Sequence, residues 1–209
     1  MAHHLNQLNQ GDIQSPDDLF SFAMNELKLG VKASKHPFHL CTIATVDALN
    51  QPHARTVVSR GIAPPYTQLR VHSDQRSLKN EHIQLNPTVS VLYYSQPQKL
   101  QVRFTGIASI VTAGNDHKQY FNDSSQHAKL CYGYPTAPGT PITESTKEAL
   151  HPNITVANLA DVQATAQTNF SAIMINLTQV DVLWLCNQGH VRIAGNCEDD
   201  AWQLQYVVA

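Results

Sequence analysis

The chain has 209 residues, of which 42% are hydrophobic and 14% charged, and its formal net charge is −2. This length fits a single domain, and the apolar fraction is sufficient for a core and argues against disorder. The nearly neutral charge provides no global field that would attract nucleic acid or an anionic membrane, so any anion site must come from local clustering.

The start of the chain and its hydrophobic pattern predict a cytoplasmic protein. The opening MAHHLNQLNQGDIQ lacks the cationic and apolar regions of a signal peptide, and no apolar run reaches membrane-spanning length. The cysteines are widely spaced without a C-x-x-C pair, so we expect reduced, buried thiols. They are Cys41, Cys131, Cys186 and Cys197.

One helix is predicted at residues 15–30. Ser15 can cap it, Pro16 suits its first position, and Gly30 can end it. Apolar residues recur between these limits at helical spacing, which is typical of a helix that lies on a sheet.

Runs of β-branched and apolar residues predict the strands. They span residues 39–46, 53–60, 68–73, 88–95, 100–111, 171–186, 190–195 and 201–209. Most connections are hairpins, with a helix of about ten residues after the third strand. Gly106 inside the fifth strand predicts a bulge or a corner. The pattern favours a mainly β fold, an antiparallel barrel with helices packed outside it.

Residues 114–170 differ in character, because they are polar and rich in turn residues. The stretch 114–123 predicts a helix, 133–142 a loop, and 155–167 a helix or a disordered segment. We expect this insertion, within a single domain of residues 1–209, to be a lid or a substrate loop.

A polar cluster stands where the third strand meets the next helix, in HSDQRSLKNEHIQLNP (residues 72–87). If the second strand brings its arginine alongside, three cations and two hydroxyls converge, which suits a phosphate monoester. The alternative is a solvated turn with scattered cations. The residues concerned are Arg55, Ser73, Arg76, Ser77 and Lys79, with His72 at the start of the segment.

The sequence gives less support to a metal site, a nucleotide-binding loop or a hydrolase motif. HPFHLC places His36, His39 and Cys41 close together, but no second ligand group follows, so we interpret them as loop and core residues and predict no metal site. The usual nucleotide loops, G-x-S-x-G and H-E-x-x-H are all absent.

The order of these segments resembles the pyridoxine/pyridoxamine 5'-phosphate oxidase family of FMN-binding split β-barrels. The resemblance lies in residues 44–58, 71–94 and 100–111, and in the C-terminal stretches VDVLWL, HVRI and AWQLQYVVA. The loop YGYPTAPGTPI resembles a subgroup of related FMN proteins that is not assigned to vitamin B6 oxidation. The fold implied is an antiparallel, Greek-key-like split barrel, and the cofactor implied is FMN.

The resemblance also implies roles for individual residues. Phosphate-binding residues would be Arg55 and Lys79 as the main cations, completed by Ser73, Ser77 and Arg76, with His72 beside them. Residues near the isoalloxazine ring would be Thr56, Val57 and Val58 through their backbone, Arg60 where the family has a lysine, and Gln101 from the partner subunit. The chain is therefore expected to form a homodimer with FMN at the interface.

The departures from the family concern the substrate. Tyr120 matches a substrate-binding tyrosine, but Ser124 stands where the family has an arginine. Near the C-terminus Val191 and Ile193 replace the residues of an R-x-H motif, and Arg192 is the available substitute. This loss of charge argues against pyridoxamine 5'-phosphate as the substrate.

The sequence therefore favours an FMN-dependent oxidoreductase that acts on an unidentified small molecule. Arg60 and His190 are the candidates for catalysis, and Tyr120 and Arg192 for substrate binding. Two alternatives stay open, a true pyridoxamine 5'-phosphate oxidase and a flavin- or haem-binding protein without turnover.

Overall fold

The computed structural model describes residues 8–144, 154–187 and 189–209. Eight strands lie in this part of the chain: β1 (Leu40–Val46), β2 (Pro52–Ile62), β3 (Gln68–Asp74), β4 (Thr88–Ser95), β5 (Leu100–Val111), β6 (Phe170–Trp184), β7 (Val191–Glu198) and β8 (Ala201–Tyr206). The α-helices described are α1 (Pro16–Lys32), α2 (Leu78–Leu85), α3 (Gly114–Asp123), α4 (Gln126–Leu130) and α5 (Leu159–Asn169).

The strands form a closed antiparallel barrel. They are ordered β3-β2-β1-β4-β5-β6-β7-β8, and a further pairing between β3 and β6 closes the first six. β6 is long enough for two neighbours on one edge, since its first half pairs with β3 and its second half with β7. This arrangement confirms the predicted split-barrel fold, with β7 and β8 as additional strands.

The predicted irregularity at Gly106 is confirmed. The register between β5 and β6 shifts between Thr105 and Gly106. A Cβ atom at Gly106 would lie 2.5 Å from the carbonyl oxygen of Asn176, closer than van der Waals contact allows. The absence of a side chain therefore lets β5 and β6 approach each other at the bulge.

Helix α1 covers one end of the barrel. Its apolar face is fully buried, and the carboxylate of Asp18 accepts hydrogen bonds from the backbone N–H of Ser15 at 2.7 Å and from its hydroxyl at 2.9 Å. The buried Glu26 carboxylate accepts a hydrogen bond from Gln98 at 2.6 Å and lies 3.1 Å from Nε2 of His36. The contact with Gln98 attaches α1 to the turn between β4 and β5, and the contact with His36 attaches it to the segment before β1.

The insertion forms a second, smaller core outside the barrel. Phe121 of α3 and Ala166 of α5 pack on Phe170 and Ala172 of β6. The helix predicted at 114–123 has those bounds, and the region 155–167 is largely helical. Part of the predicted lid, residues 145–153, lies outside the described residues.

The cysteines differ from the expectation in their exposure. All four are free, but only Cys41 is buried; Cys186 and Cys197 are partly exposed, and Cys131 is exposed because α4 lies on the surface of the insertion. The prediction of buried thiols is therefore confirmed for Cys41 and wrong for Cys131, Cys186 and Cys197. Among the described residues, no helix combines the length and the apolar character needed to cross a membrane.

Candidate functional site

A lysine and two serines meet where β3 ends and α2 begins. The ammonium of Lys79 donates to Oγ of Ser73 at 2.9 Å and to Oγ of Ser77 at 2.8 Å, and the two hydroxyls are 2.9 Å apart. Both hydroxyls donate to the carbonyl of Asp74. We call Lys79, Ser73, Ser77 and Arg55 the cradle.

Arg55, the member of the cradle that lies on β2, is oriented by hydrogen bonds of its guanidinium. Its Nη1 donates to Oγ1 of Thr45 at 2.7 Å and to the carbonyl of His53 at 2.8 Å. Oγ1 of Thr45, fully buried, is also 3.1 Å from Nδ1 of His82 on α2. Within the described part of the chain, the other guanidinium nitrogens of Arg55 have no hydrogen-bond partner.

The electrostatics of the cradle favour an anion. Burial lowers the pKa of Lys79 most, the positive charge of Arg55 lowers it further, and Asp74 opposes both effects. Burial also lowers the pKa of Arg55. Two partly desolvated cations thus lie close together beside two hydroxyls, and a phosphate placed among them would offset their repulsion and accept several charge-assisted hydrogen bonds. The residues present fit the phosphate group of FMN.

Arg76, predicted to complete the phosphate site, points away from the cradle. Its guanidinium binds both oxygens of the Asp74 carboxylate, at 2.9 and 2.7 Å, and donates to the carbonyls of Tyr134 and Pro135 at 3.0 Å. Nδ2 of Asn169 donates to the Tyr134 carbonyl as well. Arg76 therefore holds the loop of the insertion against the end of β3.

We expect Thr45→Val to weaken FMN binding by about fivefold to tenfold, because Arg55 loses the hydroxyl that orients it, a net hydrogen bond of about 1 kcal/mol. Fluorescence titration of the apoprotein with FMN would measure this. Thr88→Val, at an exposed position of β4, is the matched control. Equal affinity in Thr45→Val and the wild type would show that Arg55 does not need this support.

The residues predicted to face the flavin ring lie on β2 and β5. Along β2, Thr56 is exposed, Val57 is buried in the barrel, and Val58 is half-buried, as expected for alternating side chains. Gln101 is half-buried on β5 between Tyr94 of β4 and Leu183 of β6. No contact within one chain joins Gln101 to the cradle in the described residues.

A second group of polar side chains lies on the outer face of the barrel. Arg70 of β3 lies with its Cζ 3.9 Å from the ring centroid of Tyr120, and its Nη2 donates to the carbonyl of Arg60 at 3.0 Å. The rings of His72 and Tyr120 stack with centroids 6.5 Å apart. Tyr120, Arg60 and His72 are thus close together, and Oγ of Ser124 is 3.4 Å from Nδ1 of His72.

The other residues predicted for substrate lie elsewhere in the chain. Arg192 of β7 donates to the Asp181 carboxylate at 2.8 Å, a carboxylate that also pairs with Arg103. Arg192 aligns with Leu183 on β6, whereas Arg70 beside Tyr120 aligns with Met174. These positions on β6 are separated by about 30 Å of strand.

His190 and the HPFHLC residues have other surroundings. His190 is exposed and lines a cavity of about 360 Å³ with Tyr94 and Lys99. Nε2 of His36 faces Glu26, and Nδ1 of His39 lies 2.8 Å from the carbonyl of Gly30. No group of three potential metal-binding side chains occurs among the described residues.

Three residues of these two groups were not predicted from the sequence: Thr45, His82 and Arg70. Because side chains alternate along a strand, Arg70 and His72 lie on the same face of β3. The sequence alone could therefore have predicted that these two side chains are neighbours. The contacts of Thr45 with Arg55 and His82 join three different elements, and no local pattern indicates them.

A sequence model described as the pyridoxamine 5'-phosphate oxidase FMN-binding domain matches residues 22–112. A pyridoxine/pyridoxamine 5'-phosphate oxidase of Anaplasma phagocytophilum is 30% identical over 115 residues, 55% of this chain and 53% of the relative. A second such enzyme, from Arabidopsis thaliana, is 28% identical over 121 residues, 53% and 60% of the two chains. The matched part thus spans about half the length of the first of these relatives, and both matches support the predicted family resemblance.

Solved structures agree with the fold. A pyridoxamine 5'-phosphate oxidase-related, FMN-binding protein from Nostoc punctiforme superimposes with a TM-score of 0.71 at 23% identity, covering 90% of this chain and 96% of the other. PhzG from Burkholderia lata, in complex with tetrahydrophenazine-1-carboxylic acid, gives 0.71 at 12% identity, covering 98% and 99%. The resemblance to the split-barrel family is confirmed, and the narrower assignment to a subgroup stays a prediction.

Proposed function

We propose that this chain, whose residues 22–112 match the FMN-binding domain of pyridoxamine 5'-phosphate oxidases, is an FMN-dependent oxidoreductase that acts on a small molecule. The observation that carries the proposal is the cradle, in which Lys79 lies within hydrogen-bond distance of two buried serines. Arg55 adds a second cation with free donors. When bound, FMN supplies the redox chemistry.

The chain's own residues would bind FMN and orient it. Lys79 and Arg55 hold the phosphate, while Thr45 holds Arg55 in place. Arg76 keeps the insertion loop beside the end of β3, so the insertion can limit access of water and substrate to the site. Arg60 lies further along β2 than Arg55. Its cation would be near the position that the family resemblance implies for the isoalloxazine ring.

The substrate is proposed to differ from pyridoxamine 5'-phosphate. Ser124 brings no charge to the side of Tyr120, and the guanidinium of Arg192 is engaged by the Asp181 carboxylate. The alternative, a true pyridoxamine 5'-phosphate oxidase, is favoured by the names of the relatives at about 30% identity. Turnover of pyridoxamine 5'-phosphate by the purified protein would decide in favour of this alternative.

We further propose a homodimer with FMN at the interface. Tyr120 and Arg192 can share one site only if they come from different chains, given the length of strand between them. Gln101 would contact the ring from the partner. We expect Gln101→Ala to weaken FMN binding only in the dimer, and sedimentation of the flavin-loaded protein measures its mass; a tightly flavinated monomer would contradict the interface.

The direct test of function is the visible absorption spectrum of the freshly purified protein, with the released chromophore identified by mass. We expect a yellow protein that releases FMN and is then tested against small-molecule substrates and nicotinamide donors. A haem spectrum would move the function to haem handling. A colourless protein that does not take up added FMN would refute the proposal.

A further inference from the structure

A buried histidine of α2 contacts the residue that orients Arg55. Nδ1 of His82 is 3.1 Å from Oγ1 of Thr45, and the same oxygen accepts a hydrogen bond from Nη1 of Arg55 at 2.7 Å. The side chains of His82 and Thr45 are both buried. Because water has little access to these atoms, each donor among them needs an acceptor within the protein.

The proton of the Thr45 hydroxyl has Nδ1 of His82 as its acceptor among the described residues. A guanidinium can only donate, so Oγ1 of Thr45 accepts from Arg55 and its own proton must point elsewhere. If Nδ1 of His82 carried a proton, the hydroxyl proton would be buried without an acceptor, which is unfavourable. Nδ1 is therefore the acceptor in this chain of hydrogen bonds.

The ring of His82 is held in place by a second histidine. The ring centroids of His53 and His82 are 4.7 Å apart, with an angle of 46° between the ring planes. Nε2 of His53 lies 2.8 Å from the carboxylate of Asp47 in the turn after β1. Asp47 thus positions His53, and the ring of His53 packs against that of His82.

The shortest hydrogen bond of Arg55 among the described residues is the one to Thr45. Its Nη1 also donates to the carbonyls of His53 and Ile43, at 2.8 and 3.4 Å. A threonine hydroxyl rotates about its C–O bond and can face several directions. An acceptor at Nδ1 of His82 restricts this rotation, so a lone pair of Oγ1 is directed at Arg55 before an anion binds.

We propose that His82 is a positioning residue for the anion that the cradle binds. Nδ1 of His82 accepts the proton of the Thr45 hydroxyl, and the oriented hydroxyl holds the guanidinium of Arg55 in the direction of the phosphate. His53 and Asp47 in turn hold the ring of His82. The inference rests on the proposed function, because the phosphate of FMN is the anion concerned.

The experiment compares three substitutions of His82 by fluorescence titration of the apoprotein with FMN. The amide of H82N can place its oxygen where Nδ1 lies, the longer side chain of H82Q carries the amide past that position, and H82L removes the acceptor. We expect H82N to bind FMN within about twofold of the wild type, and H82Q and H82L to bind about fivefold to tenfold more weakly, the effect of one net hydrogen bond.

A double substitution and a control separate positioning from a general loss of packing. Adding H82L to T45V should weaken FMN binding no further than T45V alone, since both substitutions interrupt the same chain of hydrogen bonds. Q84L removes an exposed polar side chain from the same helix and should bind FMN as the wild type does. H82Q takes the place of H82L in these comparisons if H82L does not fold.

Isothermal titration of the apoprotein with inorganic phosphate distinguishes this inference from the proposed function. Phosphate affinities that follow the same order among the variants, in a protein that takes up no FMN, overturn the proposed function alone. The role of His82 alone is overturned if H82L and H82Q bind FMN as tightly as the wild type, if H82N does not restore binding, or if H82L weakens binding further in the T45V background. A protein that binds neither ligand overturns both.

Discussion

Replacing Arg55 and Lys79 together by alanine should abolish FMN retention while the protein stays folded and keeps the proposed dimer. A phosphate monoester carries close to two negative charges at neutral pH, and these two side chains are the cations of the cradle. Each charge-assisted hydrogen bond contributes about 1.5–3 kcal/mol, so two losses weaken binding by about two to four orders of magnitude. The flavin-to-protein absorbance ratio after gel filtration measures the effect.

Folding should survive this double substitution, because the change also removes a repulsion. Arg55 is among the causes that lower the pKa of Lys79, so the two cations destabilise each other in the apoprotein. The matched control is Lys28→Ala with Lys118→Ala, which removes two exposed cations from α1 and α3 and should leave FMN bound. Unchanged flavin content in the Arg55 and Lys79 variant would refute the phosphate assignment.

Gly106→Val should destabilise the protein strongly, by about 3 kcal/mol or more. The new Cβ would lie 2.5 Å from the carbonyl oxygen of Asn176 and 2.8 Å from a methyl group of Ile175, so β5 and β6 must separate at the bulge. For a chain of this size, the melting temperature should fall by about 6–12 °C. Thermal unfolding followed by circular dichroism measures the change.

Gly11→Val provides the control, since a Cβ there meets no atom within 4 Å. We expect this variant to melt within a degree or two of the wild type. If Gly106→Val melted as late as the control, the close approach of β5 and β6 would be wrong.

The strands were predictable because their signal is local. β4 and β5 span the residues expected from alternating apolar side chains, and α3 has the predicted bounds. Helix α1 extends two residues beyond its predicted end at Gly30, whose closeness to the backbone of Phe38 reflects packing rather than helix termination. In that case a contact between elements explains the glycine better than the helix pattern does.

The surroundings of the site were predictable only in part. The strand-to-helix junction placed Ser73, Ser77 and Lys79 together, since they lie within seven residues of one another. The direction of Arg76 was not predictable, because Asp74 on one side and the carbonyls of the insertion loop on the other compete for its guanidinium. Likewise, nothing local indicates that Arg70 packs on Tyr120.

From the sequence alone, then, the positions of the strands along the chain, the barrel class and the residues that end β3 and begin α2 could be predicted. Alternation and turn chemistry act over a few residues, and that range suffices for these features. The tertiary structure was needed to show that Thr45 supports Arg55 and that, among the described residues, neither Arg60 nor Arg70 pairs with an acid. Such contacts join elements distant in the chain, and closure of the barrel determines which side chains meet.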